Sequence, residues 1–272
     1  MTALTTKRAG LHGGGPHGGG LLRGGFFGGI GAFAGGIGFV VGTPSVWPLA
    51  IVPVVVAVTT SLALAALGLW GATALADAIV GPAAGAVGVI ASWVITFALG
   101  LMAILTALLV GFSLAQPLSG FALDAIAQRR ARALGAPERA PAAGSAFLRS
   151  LRVTFAALAL ALPLLAVLTI ITIVFPPAAV VTIPLKLAVS ALTFAWDLLD
   201  YPLGQYGFGV RDRLRWIRAH FGAVLGFGLA GSIVLLVPGL GLLMLPMGVA
   251  GASGLVVREE RALATERPRL GD

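Results

Sequence analysis

The chain has 272 residues, 58% hydrophobic and only 10% charged, with a mean hydropathy of +1.01 and a formal net charge of +8. Soluble domains carry about 25% charged residues, so this apolar load cannot be hidden inside one core and a soluble enzyme is excluded. The absence of cysteine removes disulfides and thiolate metal sites.

Charge placement points to a bilayer. No charged residue occurs between Arg23 and Asp77, and none between Asp77 and Asp124. Both gaps far exceed the roughly 20 apolar residues that span a membrane. Backbone amides in lipid must pair within their own segment, and period-2 alternation is absent, so these runs are expected to be helices rather than barrel strands.

In chain order, residues 1–20 are rich in glycine, lack the apolar core of a secretory signal and are expected to form a disordered tail. Residues 21–257 are expected to form a single membrane domain, with 258–272 as a cytoplasmic tail. Its first part, 21–42, adds Leu21, Phe26, Phe27, Ile30, Phe33 and Phe39 to the glycines and suits a helix in or against the membrane. Glycines four apart, Gly24/Gly28 and Gly31/Gly35, would allow close helix contact.

Two long apolar stretches follow, Pro44–Ala76 and Ala83–Leu114, separated by Gly81-Pro82. The segment after Leu114 carries Arg129, Arg130, Arg132, Arg139, Arg149 and Arg152, which makes it a cytoplasmic loop by the positive-inside rule. Val153–Phe175 and Ala178–Leu199, joined at Pro176-Pro177, are expected as a first helical hairpin. Around 210–221, Val210, Leu214, Ile217 and Phe221 share one helical face. Arg211, Arg215 and Arg218 fall about 80–140° away, the pattern of a short amphipathic helix at the interface.

The last apolar region, Phe221–Val257, is split at Pro238-Gly239 into halves of about 17 and 18 residues, at the lower limit for spanning. Both hairpins fit either partial penetration or a full crossing of the bilayer. The fold class is therefore an all-α integral membrane protein with two long transmembrane helices, two hairpins and one interfacial helix. Arg258, Arg261, Arg267 and Arg269 bring the second terminus to the side of the first, so both are expected in the cytoplasm. The cations thus read as orientation signals, and no nucleic-acid partner is expected.

No catalytic constellation, metal site or cofactor is expected. Gly29-Ile30-Gly31-Ala32-Phe33-Ala34 matches a dinucleotide pattern only loosely, without a strand before it or an acidic residue after it. Lys186 is the one cation inside an apolar run, which fits either an anion contact or a lysine reaching the interface. Asp197 and Asp200, three apart, fit an interfacial pair answering the arginines that follow, or a proton relay or cation site. Ser45, Val46 and Trp47 open the first long helix just after Pro44, where helix-terminal amides can meet an anion.

These residues carry a resemblance. Gly42-Thr43-Pro44-Ser45-Val46-Trp47-Pro48-Leu49-Ala50-Ile51-Val52-Pro53 resembles the opening of the first long helix in the family joining CysZ-type sulfate transporters to etoposide-induced protein 2.4. Asp200-Tyr201-Pro202, Gly226-Phe227-Gly228, Val237-Pro238, Leu245-Pro246 and Gly251-Ala252-Ser253 fall in the family's order. The sulfate-transporting branch carries Gly-Leu-Arg after the first proline, where this chain has Ser45-Val46-Trp47.

The resemblance implies a homo-oligomer in the cytoplasmic membrane that moves a small anion such as sulfate. Without an ATP-binding motif, transport would be driven by gradients. Ser45, Val46, Trp47 and Lys186 are its candidate anion contacts. The alternative is a non-transporting scaffold that organises lipid or partners with wedge-like hairpins and the Arg211–Arg218 helix.

Overall fold

A computed structural model describes residues 25–80, 85–137, 146–235 and 241–266, all-α with no strand among them. Gly81-Pro82 and Pro238-Gly239, where turns are expected, the segment 1–20 and the residues after Glu266 lie outside this set.

Both long apolar segments are helices: α2 (Trp47–Val80) and α3 (Gly85–Leu118), each of 34 residues. At 1.5 Å per residue each is about 51 Å long, well beyond the roughly 30 Å of hydrocarbon in a bilayer. They zip together through small residues. A Cβ added at Gly68 would lie 2.9 Å from Ala103 Cβ, and one at Gly111 the same distance from Ser61 Cα. Ala57, Ala72, Ala76, Ala107 and Ala115 are buried along this hairpin, while Leu62, Trp70, Trp93 and Phe97 point outward. Close approach of small residues is how helices associate where lipid removes the hydrophobic drive.

The core lies at the base of this hairpin. It is built from α1 (Phe27–Gly42), α4 (Gly120–Ala133), the second half of α6 (Ala179–Gln205), α8 (Phe221–Leu235) and α9 (Gly241–Glu266). Phe33, Leu123, Leu198, Phe227, Met244 and Leu255 fill its centre, with the Phe33 and Phe227 rings edge to face at 5.5 Å between centroids. α1 packs against α8 and α9. The glycines that allow this are Gly29 and Gly36: a Cβ there would sit 2.7 Å from Phe227 N and 2.6 Å from Gly251 Cα, respectively. Gly28 and Gly31 of the expected pairs have nothing within 4 Å, and Gly35 faces the Arg130 side chain. The docked face is thus rotated from the one that the spacing of four suggested, because two partner helices set it.

The arginine-rich segment expected as a loop begins as helix α4. Ala122, Leu123, Ile126 and Ala127 recur at helical spacing and are fully buried, which pays for its order against α9 and α6. α5 (Ala146–Val174) and α6 form the first hairpin, closed by a 3-10 turn at Pro176–Ala178 and by a hydroxyl pair, Thr172 Oγ1 to Thr182 Oγ1 at 2.7 Å.

α7 (Val210–Ala219) is amphipathic as expected and bends by 94° into α8. Its docked face is offset from the apolar stripe: Arg213 and Trp216 are buried, Ile217 of the stripe packs partly against the core, and Phe221 is 43% exposed. α9 runs through position 257, the expected end of the membrane domain, to Glu266. Among the described residues three helices are long and apolar enough to cross a membrane, Pro44–Ile79, Gly85–Leu118 and Pro176–Gln205, and the bent α7–α8 pair would make a fourth.

Candidate anion site at the start of the first long helix

The α1–α2 junction is a tight corner. Thr43 leaves the helical region at φ −124°, ψ 87°, and Pro44 opens a single 3-10 turn with its φ already suited to it. Val46 N–H donates to Thr43 O at 2.9 Å and Trp47 N–H to Pro44 O, so both amides are occupied inside the turn. Val46 is completely buried against Val40, Ala50, Ile126 and Ala250 and serves as the anchor of the corner. Trp47 keeps half its ring exposed while its indole N–H donates to Val40 O at 2.9 Å, capping a carbonyl at the end of α1. Pro53, one turn further on, lies inside α2 and leaves the Leu49 carbonyl without its intrahelical donor.

The Ser45 side chain remains exposed at the corner. Its carbonyl accepts a hydrogen bond from Arg129 Nη1 of α4 at 2.5 Å, across 84 positions of sequence. A guanidinium carries five donors, so one bond to Ser45 leaves others for an incoming anion. Nothing in the local sequence signals this contact. The only hint was the lack of an arginine after Pro44, together with a surplus of arginines in the segment that became α4.

Lys186 is not part of this corner. It is half-buried on α6, which packs on α4, α5, α8 and α9. The Asp200-Tyr201-Pro202 motif forms a separate joint. Asp200 forms an ion pair with Arg213 of α7, whose Nε donates to Phe208 O at 3.2 Å and whose Nη2 donates to Asp200 O at 3.4 Å. Tyr201 hydrogen-bonds to the Gln116 side chain of α3, and Pro202 is buried. The motif therefore ties α3, α6 and α7 together. Asp200 thus answers an arginine of the following segment. Pro238 lies outside the described residues.

α4 links joint and corner. Toward the corner, the Arg130 guanidinium lies 4.9 Å from the centroid of Phe39, and burial, then the nearby Arg258, holds it below the usual arginine range. Toward the joint, Asp124 is exposed, yet the protein packed around its carboxyl, and after it the Asp200 carboxylate, push it up to about 6. A carboxyl raised in the folded state favours folding while protonated, so its contribution is full below the ordinary value of 3.8 and is lost as pH rises through about 6. Asp124→Asn is accordingly expected to raise the melting temperature at pH 7.5 and leave it nearly unchanged at pH 3. Equal shifts at both values would show that Asp124 is not destabilised by ionisation.

The family model described as "Sulfate transporter CysZ/Etoposide-induced protein 2.4" matches residues 32–246. The chain belongs to this family. Relatives named sulfate transporter CysZ include one from Pseudomonas paraeruginosa, 36% identical over 110 residues, which is 40% of this chain and 44% of the relative. One from Pseudomonas aeruginosa is 35% identical over 103 residues, 38% of this chain and 42% of the relative. Another, from Pseudomonas fluorescens, is 36% identical over 89 residues, 33% and 35% of the two chains. The chain thus spans less than half the length of the CysZ relatives it matches. The corner at Pro44 and the Asp200 joint both lie within the region that the CysZ/etoposide-induced 2.4 model covers.

Proposed function

We propose that this multi-pass membrane protein conducts a small anion, with sulfate as the first candidate, across the bacterial cytoplasmic membrane. The observation that carries the reading is the Arg129 guanidinium bonded to the Ser45 carbonyl. It supplies a cation at the corner where the sulfate-transporting branch is expected to have an arginine in sequence. The names of the CysZ relatives support sulfate as the substrate.

In this reading Arg129 and the exposed Ser45 hydroxyl contact the anion at the mouth of α2, and Trp47 holds the corner in shape. No catalytic step is involved, and the ion moves down its own gradient or one coupled to it. Both termini face the cytoplasm, where the basic clusters are expected, and the protein works as a homo-oligomer in the bilayer.

Calorimetric titration of sulfate into detergent-purified protein tests this site, with chloride and phosphate as competitors. A charge-assisted hydrogen bond contributes about 1.5–3 kcal/mol, so Arg129→Gln is expected to weaken sulfate binding by roughly tenfold or more. Unchanged affinity would remove Arg129 from the site. Failure of the native protein to bind sulfate would favour the membrane-organising alternative, for which the exposed Arg211, Arg215 and Arg218 of α7 are the supporting feature.

A further inference from the structure

Between Ala179 and Asp200 of α6, the polar and charged side chains other than the Trp196 indole are Thr182, Lys186, Ser190, Thr193, Asp197 and Asp200. At 100° per residue all six fall within an arc of about 80°. From Thr182 to Asp200 the strip is roughly 27 Å long at 1.5 Å per residue, close to the approximately 30 Å of hydrocarbon in a bilayer. The opposite side of α6 is committed to the core: Ala191 and Ala195 are fully buried, and α8 approaches so closely that a Cβ at Gly228 would lie 2.7 Å from the Ala191 carbonyl carbon.

Contacts within the protein account for only part of this polar strip. Thr182 is buried against Thr172 of α5, Thr193 Oγ1 donates to Val189 O at 2.9 Å, and Asp200 is neutralised by Arg213. Lys186 is half-buried and Ser190 exposed, and neither side chain has a hydrogen-bond partner among the described residues. Their apolar neighbours Leu185 and Leu187 are 45% and 50% exposed on either side. Hydrocarbon cannot satisfy an ammonium or a hydroxyl, and ionisable groups at membrane depth face a bundle interior or water.

We propose that this face of α6 is one wall of an aqueous path through the membrane, with Lys186 as the contact that favours anions in the half of the path nearest Pro176. The occupant is water together with a small hydrated anion. The proposal rests on the anion-permeation reading for its substrate, but not for the presence of water.

The chain contains no cysteine, so single-cysteine variants can be labelled without background. Lys186→Cys and Ser190→Cys would be compared with Leu185→Cys and Leu187→Cys in reconstituted vesicles, using membrane-impermeant thiol reagents of either charge. Thiols react as thiolates, which need water to form. Lys186→Cys and Ser190→Cys are expected to react roughly tenfold or more faster than their two leucine neighbours, which lie within one turn at similar depth.

Equal rates at all four positions would overturn the path, whatever the uptake assays show. At Ser190→Cys the anionic reagent is expected to outpace the cationic one, and Lys186→Gln in the same background is expected to abolish that preference. Fast labelling with a preference for the cationic reagent would uphold the path and overturn its assignment to anions.

Discussion

Replacing Arg213 with alanine is expected to cost about 3–5 kcal/mol of stability, the usual result of removing one partner from a buried ion pair. Only 2% of the Arg213 side chain is exposed, and the guanidinium reaches Asp200 through its carboxylate and its carbonyl as well as Phe208 O. Its loss leaves the Asp200 carboxylate, 17% exposed, without its cation and unlocks α7 from α6. Asp200→Asn should cost a similar amount, because it strands the guanidinium instead.

The double variant Arg213→Met, Asp200→Leu is expected to lose clearly less than the sum of the single changes, since no buried charge remains uncompensated. Thermal unfolding in detergent, read by circular dichroism, measures all three. If Arg213→Ala shifted the midpoint no more than Arg211→Ala on the exposed face of α7, the ion pair would not be holding the joint.

The second large effect is expected at Gly36. A methyl group there would lie 2.6 Å from Gly251 Cα, against backbone of α9 that has no side chain to rotate away. Gly36→Ala must therefore push α1 and α9 apart and open the core around Phe33 and Phe227. We expect a cost of about 3 kcal/mol, the upper end of what overpacking usually brings. Gly38, two positions on, has nothing within 4 Å, and Gly38→Ala should be neutral or stabilising by up to about 1 kcal/mol through helix propensity. Comparable losses from the two changes would mean that α1 does not dock through Gly36.

These two positions also show what the sequence could and could not convey. The apolar runs and their punctuation located α2, α3 and α6, because the bilayer requirement is written into local composition. In the Gly-rich run of α1, however, several faces carry glycines at spacings of three or four, and only the remote partners α8 and α9 select Gly29 and Gly36. On α7 the hydrophobic period found the apolar stripe, yet the docked side is set by Arg213 reaching Asp200. An arginine that is buried for a distant carboxylate reads in sequence as one more surface cation.

The same limit applies to the candidate site. The Pro44 corner was legible from its motif as the start of a long helix, whereas the part Trp47 plays in it, capping Val40 O with its indole, was not. That the Val46 and Trp47 amides are occupied follows from the 3-10 turn, a backbone detail that side-chain identities do not encode. Arg129 joins the corner only because α4 is a helix packed under Val46 through Ile126. The strip on α6 was present in the sequence as a regular spacing, but only the fold shows which side of that helix the core has already claimed.

The most direct test of the account is flux of labelled sulfate into proteoliposomes containing the pure protein, under an imposed sulfate gradient and without ATP. The account predicts uptake well above that of empty liposomes and strongly reduced uptake with Arg129→Gln. Uptake by the native protein no faster than by empty liposomes would contradict it.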